Sequence, residues 1–115
     1  MTTPRPGEVC LADLGLAAKV RPIVVVSRHD PDPPRVLTIY VPLTTQNRGS
    51  RYEVVLPKLP FLRPGAAASV ANVQGLGSLP TVRLERRLGK LPDIVMAEIK
   101  RALSYALDLD PTAAQ

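Results

Sequence analysis

The chain has 115 residues, is 45% apolar and 22% charged, and carries a formal net charge of +5 with a pI near 9.9. That length predicts one domain over 1–115, burying roughly two-thirds of the surface that the unfolded chain exposes, and the apolar content excludes disorder through want of hydrophobes. The basic balance suits a polyanionic partner such as nucleic acid or an acidic polypeptide, or only a solvated basic surface, and charge alone does not choose.

Residues 1–6 read as a flexible end with no apolar run of the signal-peptide kind. No stretch approaches the ~18 apolar residues that span a membrane, so the expected location is cytoplasmic. Gly7–Leu14 alternates roughly after a glycine and predicts a strand. After the short connection Gly15–Val20, the β-branched run of Pro22-Ile23-Val24-Val25-Val26-Ser27 predicts a strand buried on both faces. The turn chemistry of Asp30-Pro31-Asp32-Pro33-Pro34, within Arg28–Arg35, ends it. Val36–Val41 is a second such run, which Pro42 is expected to stop. Thr44–Ser50 is a polar loop, Arg51–Leu56 alternates as a strand with one wet face, and Pro57–Gly65 is a proline-punctuated loop. Ala68–Gln74 and Leu76–Leu79 are short strands separated by Gly75. Val95, Ile99, Ala102, Leu103, Ala106 and Leu107 recur at helical spacing, and Pro92 and Asp93 suit a first turn, so Pro92–Leu107 is an amphipathic helix. Asp110-Pro111 stops it, and 111–115 form a second flexible end.

The 13 prolines cut the chain into short elements, since proline lacks an N–H and fixes φ. Several strands before one terminal helix predict a mainly β protein with α structure (α+β), a bent sheet or partly closed barrel. Only Tyr40, Tyr52, Phe61 and Tyr105 are aromatic, which argues against a platform of stacked bases and against an aromatic groove for proline-rich peptides.

One histidine and one cysteine cannot form a zinc cluster, and the acidic residues lack metal-binding spacing, so no metal or cofactor is expected. His29 lies in the proline-rich turn and reads as solvated. Cys10, between Val9 and Leu11, reads as a small buried hydrophobe and not a nucleophile. Arg21 directly precedes Pro22 and the buried run; a guanidinium there can offer paired donors to a phosphate, although by itself it reads more readily as a strand-end side chain reaching solvent. Thr44, beside Thr45, Gln46, Asn47 and Arg48 at the exit of the second buried run, suits either a recognition loop or a plain hydrophilic turn.

Taken together these stretches resemble the MazF/PemK toxins of bacterial toxin–antitoxin pairs, from about Gly7 to about Leu109. Gly7-Glu8-Val9 with Leu11-Ala12-Asp13-Leu14 resembles the opening strand. Arg21-Pro22 before Ile23–Ser27 resembles the Arg-Pro strand, and Val41-Pro42-Leu43-Thr44-Thr45-Gln46 the Val-Pro-x-Thr-Thr loop. Ser69-Val70, Gln74 and Leu79 resemble the late strands before the helix. The resemblance implies an SH3-like, partly closed barrel that dimerises. It also implies metal-independent, sequence-specific cleavage of single-stranded RNA to a 2′,3′-cyclic phosphate and a 5′-hydroxyl, and a cognate antitoxin with an acidic tail. It carries the catalytic roles onto Arg21 and Thr44. Glu8 and Thr45 are supporting candidates; Lys19, Gln46, Asn47, Arg48, Arg51 and Gln74 are candidates for RNA contact. Two departures stand out: the connection before Arg21 carries no acid, and Ala71-Asn72-Val73 replaces an Arg-x-Asp found in the plasmid-borne branch. The alternative is a non-catalytic toxin of the same fold, resembling the gyrase-poisoning CcdB group. Against it, residues 110–115 offer no bulky apolar or aromatic anchor.

Overall fold

The computed structural model describes residues 3–15, 20–62 and 68–109. Among the described residues, seven strands and one α-helix follow in order: β1 (Glu8–Asp13), β2 (Val20–Val25), β3 (Leu37–Thr44), β4 (Glu53–Val55), β5 (Val70–Asn72), β6 (Gly77–Pro80), β7 (Leu84–Lys90) and α1 (Asp93–Ala106). Every pairing is antiparallel, and the strands run β4-β5-β3-β2-β1-β7, with β6 on the same edge of β3 as β5. Among the described residues β4 and β7 stand at opposite ends of the path and do not pair, so the sheet is not a closed barrel, in keeping with the expected bent sheet or partly closed barrel of an α+β protein.

The period of two in the β-branched runs sorts their side chains onto two faces. Val9, Val24, Val41 and Leu43 pack with Leu91, Val95, Met96, Ile99 and Ala102 into the larger core beneath α1. Cys10, Ala12, Ile23 and Val25 point the other way and cluster with Leu79 and Leu84. Ile23, Val24 and Val25 are all fully buried, so β2 is covered on both faces as its composition predicts. Each such side chain contributes about 1.5–3 kcal/mol of burial free energy.

The helix begins where Pro92 O accepts from Val95 N (3.0 Å) and Met96 N (3.1 Å). It ends in a left-handed Asp108 (φ 54), with Asp108 N donating to Tyr105 O (3.2 Å) and Leu109 N to Ser104 O (2.9 Å). This reciprocal closure satisfies carbonyls that a helix end otherwise leaves bare.

Four expectations need correction. Pro42 does not stop β3, which runs on to Thr44. Ile39 O accepts from Val26 N (3.0 Å), so odd-numbered residues of β3 turn their polar groups toward β2. Pro42 therefore turns its missing N–H to the other edge, between Tyr40, the last partner of β6, and Leu43, the first partner of β5. No ladder bond is lost there. The connection from β5 to β6, a tight turn over Val73–Gly75, passes this point, and a Cβ on Gly75 would lie 2.5 Å from Pro42 Cγ. Second, Arg21 and Pro22 lie inside β2, which starts at Val20. Third, β7 was not anticipated; Leu88 and Glu85 are extra residues at two bulges against β1, and they destroy its alternation. Fourth, the flexible end 1–6 is anchored from Pro4 onward: Pro4 is buried, and Arg5 N donates to Glu8 Oε1 (2.6 Å). The flexible end 111–115 and Lys19 lie outside the described residues. No described helix is long and apolar enough to cross a membrane.

Candidate active site

Strand pairing puts Arg21 and Thr44 at the same end of two neighbouring strands. Val25 pairs with Tyr40, Val24 with Val41 and Ile23 with Pro42. The pairing ends there, two residues short of Arg21 on β2 and two short of Thr44 on β3, so both residues lie just beyond the last paired position, at the same end of the two strands. The same alternation places both side chains on the face of Ile23, Val25 and Cys10, away from α1. Arg21 is exposed and Thr44 half-buried. An arginine and a threonine on neighbouring strands thus belong to one face of the sheet.

The threonine hydroxyl is bonded by its own loop. Gln46 N donates to Thr44 Oγ1 (3.1 Å), which occupies one lone pair and leaves the O–H able to donate. Thr45, Gln46, Asn47 and Arg48 follow as a run of exposed side chains. Gln74, also exposed, reaches the same end of β3 from the other side, because its turn packs on Pro42 through Gly75. Asn72 Oδ1 accepts from Gln74 N (3.1 Å) and fixes that turn.

Two candidates are placed elsewhere. The Arg51 guanidinium lies 3.9 Å from the centroid of the Tyr105 ring on α1, and that ring in turn meets Tyr52 at 5.4 Å. Arg51 is therefore directed to the helix side of the sheet. Glu8 pairs with Arg87 of β7 and stands four residues along β1 from Ala12, the partner of Arg21, a separation of about 13 Å. Its carboxylate is committed to Arg87 and to Arg5 N.

Cys10 is 1% exposed, and burial first, then the Glu8 carboxylate, pushes its thiol up to about 11. The protonated thiol is a packing group at neutral pH. His29 is half-buried, with Nδ1 3.4 Å from Pro4 O. Among the described residues, no three His, Cys, Asp or Glu side chains converge as a metal-binding group.

The residue that sequence reasoning passed over is Glu53, taken there as the wet face of a strand. Its carboxylate accepts from Arg48 N (2.9 Å), Ser50 N (3.0 Å) and Ser50 Oγ (2.7 Å). These bonds, the one from Arg48 N foremost, hold its carboxyl below the usual carboxylate range. The signal was present as Ser50-Arg51-Tyr52-Glu53, the Ser-x-x-Glu spacing in which a serine and an acid bond reciprocally across one turn.

A small basic protein built of one antiparallel sheet and a C-terminal helix, with an arginine and a threonine near the ends of neighbouring strands, is the class that fold and site define. The family described as PemK-like, MazF-like toxin of type II toxin–antitoxin systems matches residues 5–107, and the chain belongs to it. The chain is similar to a probable endoribonuclease, MazF5, of Mycobacterium tuberculosis, at 36% identity over 105 residues that cover 91% of this chain and 94% of the relative. It superposes with a TM-score of 0.78 on a mycobacterial endoribonuclease solved in complex with its cognate antitoxin, at 27% identity over 93% of this chain and 97% of that one. A MazE–MazF structure from Deinococcus radiodurans, 22% identical over 93% of this chain and 97% of that one, has a TM-score of 0.76 and bears on the fold alone. By its family the chain is an enzyme of the endoribonuclease class.

Proposed function

We propose that the protein is one domain that acts in the cytoplasm as a dimer, cleaves single-stranded RNA at a short recognition sequence without a metal, and is neutralised by a cognate antitoxin. The observation that supports this most is the placement of Arg21 and Thr44 at the same end of neighbouring paired strands, with the Thr44 hydroxyl bonded by Gln46 N. The 2′-oxygen attacks the adjacent phosphorus, the P–O5′ bond breaks, and the products are a 2′,3′-cyclic phosphate and a 5′-hydroxyl. Negative charge builds on the phosphorane oxygens. Arg21, which stays protonated, stabilises that charge and hydrogen-bonds the leaving oxygen, which takes its proton from water, while the Thr44 O–H hydrogen-bonds a non-bridging oxygen. The 2′-hydroxyl proton passes to water, since residues 15–20 carry no acid and Glu8 is held by Arg87. Thr45, Gln46, Asn47, Arg48 and Gln74 line the approach and contact the bases, and Lys19 contributes charge from the adjoining connection. An acidic antitoxin tail is the natural competitor for the same basic face.

The purified protein is expected to cut a long single-stranded RNA at one short motif in the presence of EDTA, and Arg21→Ala to abolish cutting with the fold intact. Full activity of that variant would overturn the site; supercoiling inhibition without RNA cleavage would overturn the function.

A further inference from the structure

From the same loop we infer that Glu53 is the positioning residue of the RNA-recognition segment, an inference that rests on the function proposed above. A carboxylate beside a surface that must accept a polyanion opposes its ligand, so its presence there calls for a structural role that outweighs the repulsion. Here both Glu53 oxygens are engaged by the loop itself, accepting from Arg48 N, Ser50 N and Ser50 Oγ, so the carboxylate serves as the anchor of the loop. The rest of the segment is built on these bonds. Ser50 Oγ accepts from Tyr52 N (3.2 Å), Asn47 Oδ1 accepts from Gly49 N (2.8 Å), and Gly49 takes the left-handed φ of +68 that the turn needs. At the other end, Thr44 Oγ1 holds Gln46 N.

Glu53 also joins the two sides of the candidate site. It is the first residue of β4 and pairs with Asn72 of β5, whose side chain caps the turn carrying Gln74. One carboxylate thus fixes the backbone from which Arg48 projects, next to the strand that presents Gln74. Nothing about Glu53 places it near the reacting phosphate, so it acts through the loop. A loop ordered before RNA arrives loses less conformational freedom on binding, and that gain appears in affinity and in the choice of sequence.

The test uses the full chain and its Glu53→Gln and Glu53→Asp variants. Glutamine keeps the size but presents an NH2 group to one of the converging donors; aspartate keeps the charge on a shorter arm. For E53Q, amide hydrogen exchange at Arg48 and Ser50 is expected to accelerate about tenfold, and KM for a long single-stranded RNA in EDTA to rise about tenfold. The set of cut sites should broaden, while kcat stays within about threefold of wild type, the pattern of lost binding without lost chemistry. E53D should restore part of the exchange protection and of KM. Unchanged exchange in E53Q would overturn the inference, as would wild-type KM and cut pattern, or a loss confined to kcat. Wild-type protein that cuts no RNA would sink the proposed function and this inference with it. An active wild type with an indifferent E53Q would sink this inference alone.

Discussion

Thr44→Val separates the chemical role of Thr44 from its structural one. Valine matches threonine in shape and suits a strand, so the change removes one hydroxyl from the end of β3 and little else. The folded state loses the Gln46 N–Thr44 Oγ1 bond of 3.1 Å. That amide belongs to an exposed residue and water can replace its partner, so the cost is about 0.5–1.5 kcal/mol. For a chain of this size, Tm falls by less than about 10 °C. The transition state loses more: a preorganised donor to a developing oxyanion is worth about 2.7–4 kcal/mol, a factor of about 10²–10³ in rate. Single-turnover cleavage of a labelled RNA in EDTA, run with a thermal melt, reads both quantities. The expected result is a rate loss of at least about a hundredfold with a small Tm shift, and near-complete recovery in Thr44→Ser. A Thr44→Val rate within threefold of wild type would refute the assignment of Thr44 as a donor. A collapse of Tm would mean that the loss runs through folding.

Ile99→Ala removes a fully buried side chain from the helix face that covers the larger core, and a loss of about 2–5 kcal/mol is expected by denaturant unfolding. Gly75→Ala places a methyl 2.5 Å from the Pro42 ring, which cannot swing aside, and should cost about 1–3 kcal/mol and disturb the Gln74 turn. Cys10 should resist alkylation by iodoacetamide in the native protein at pH 8 and react on unfolding. Its folded value of about 11 exceeds the ordinary 9.0, so the unfolded chain ionises first; stability therefore falls between about pH 9 and 11, and Cys10→Ala should flatten that part of the pH–stability curve.

Much of the fold was written locally. The 3.6-residue spacing of Val95, Ile99 and Ala102 specified α1, and the β-branched runs around Ile23–Val25 and Ile39–Val41 specified β2 and β3, because periodic burial leaves a periodic sequence. β7 was hidden because two bulges against β1 insert Leu88 and Glu85 and break the period of two. Strand β3 outran its expected end because whether a proline stops a strand depends on which edge its nitrogen faces, and that depends on which neighbours share the edge.

By itself the sequence determined the residue types at the site, the basic charge and the family resemblance, since Arg21-Pro22 and Pro42-Leu43-Thr44 are contiguous motifs. What only the tertiary structure decided is their relation. Arg21 and Thr44 are 23 positions apart in the chain and come to the same end of neighbouring strands through a register that long-range pairing sets. The same pairing sends Arg51 to Tyr105, commits Glu8 to Arg87 and ties Glu53 to the loop. A side chain's charge is a local property; whether that charge faces a substrate or another residue depends on what the fold places within a few ångströms of it.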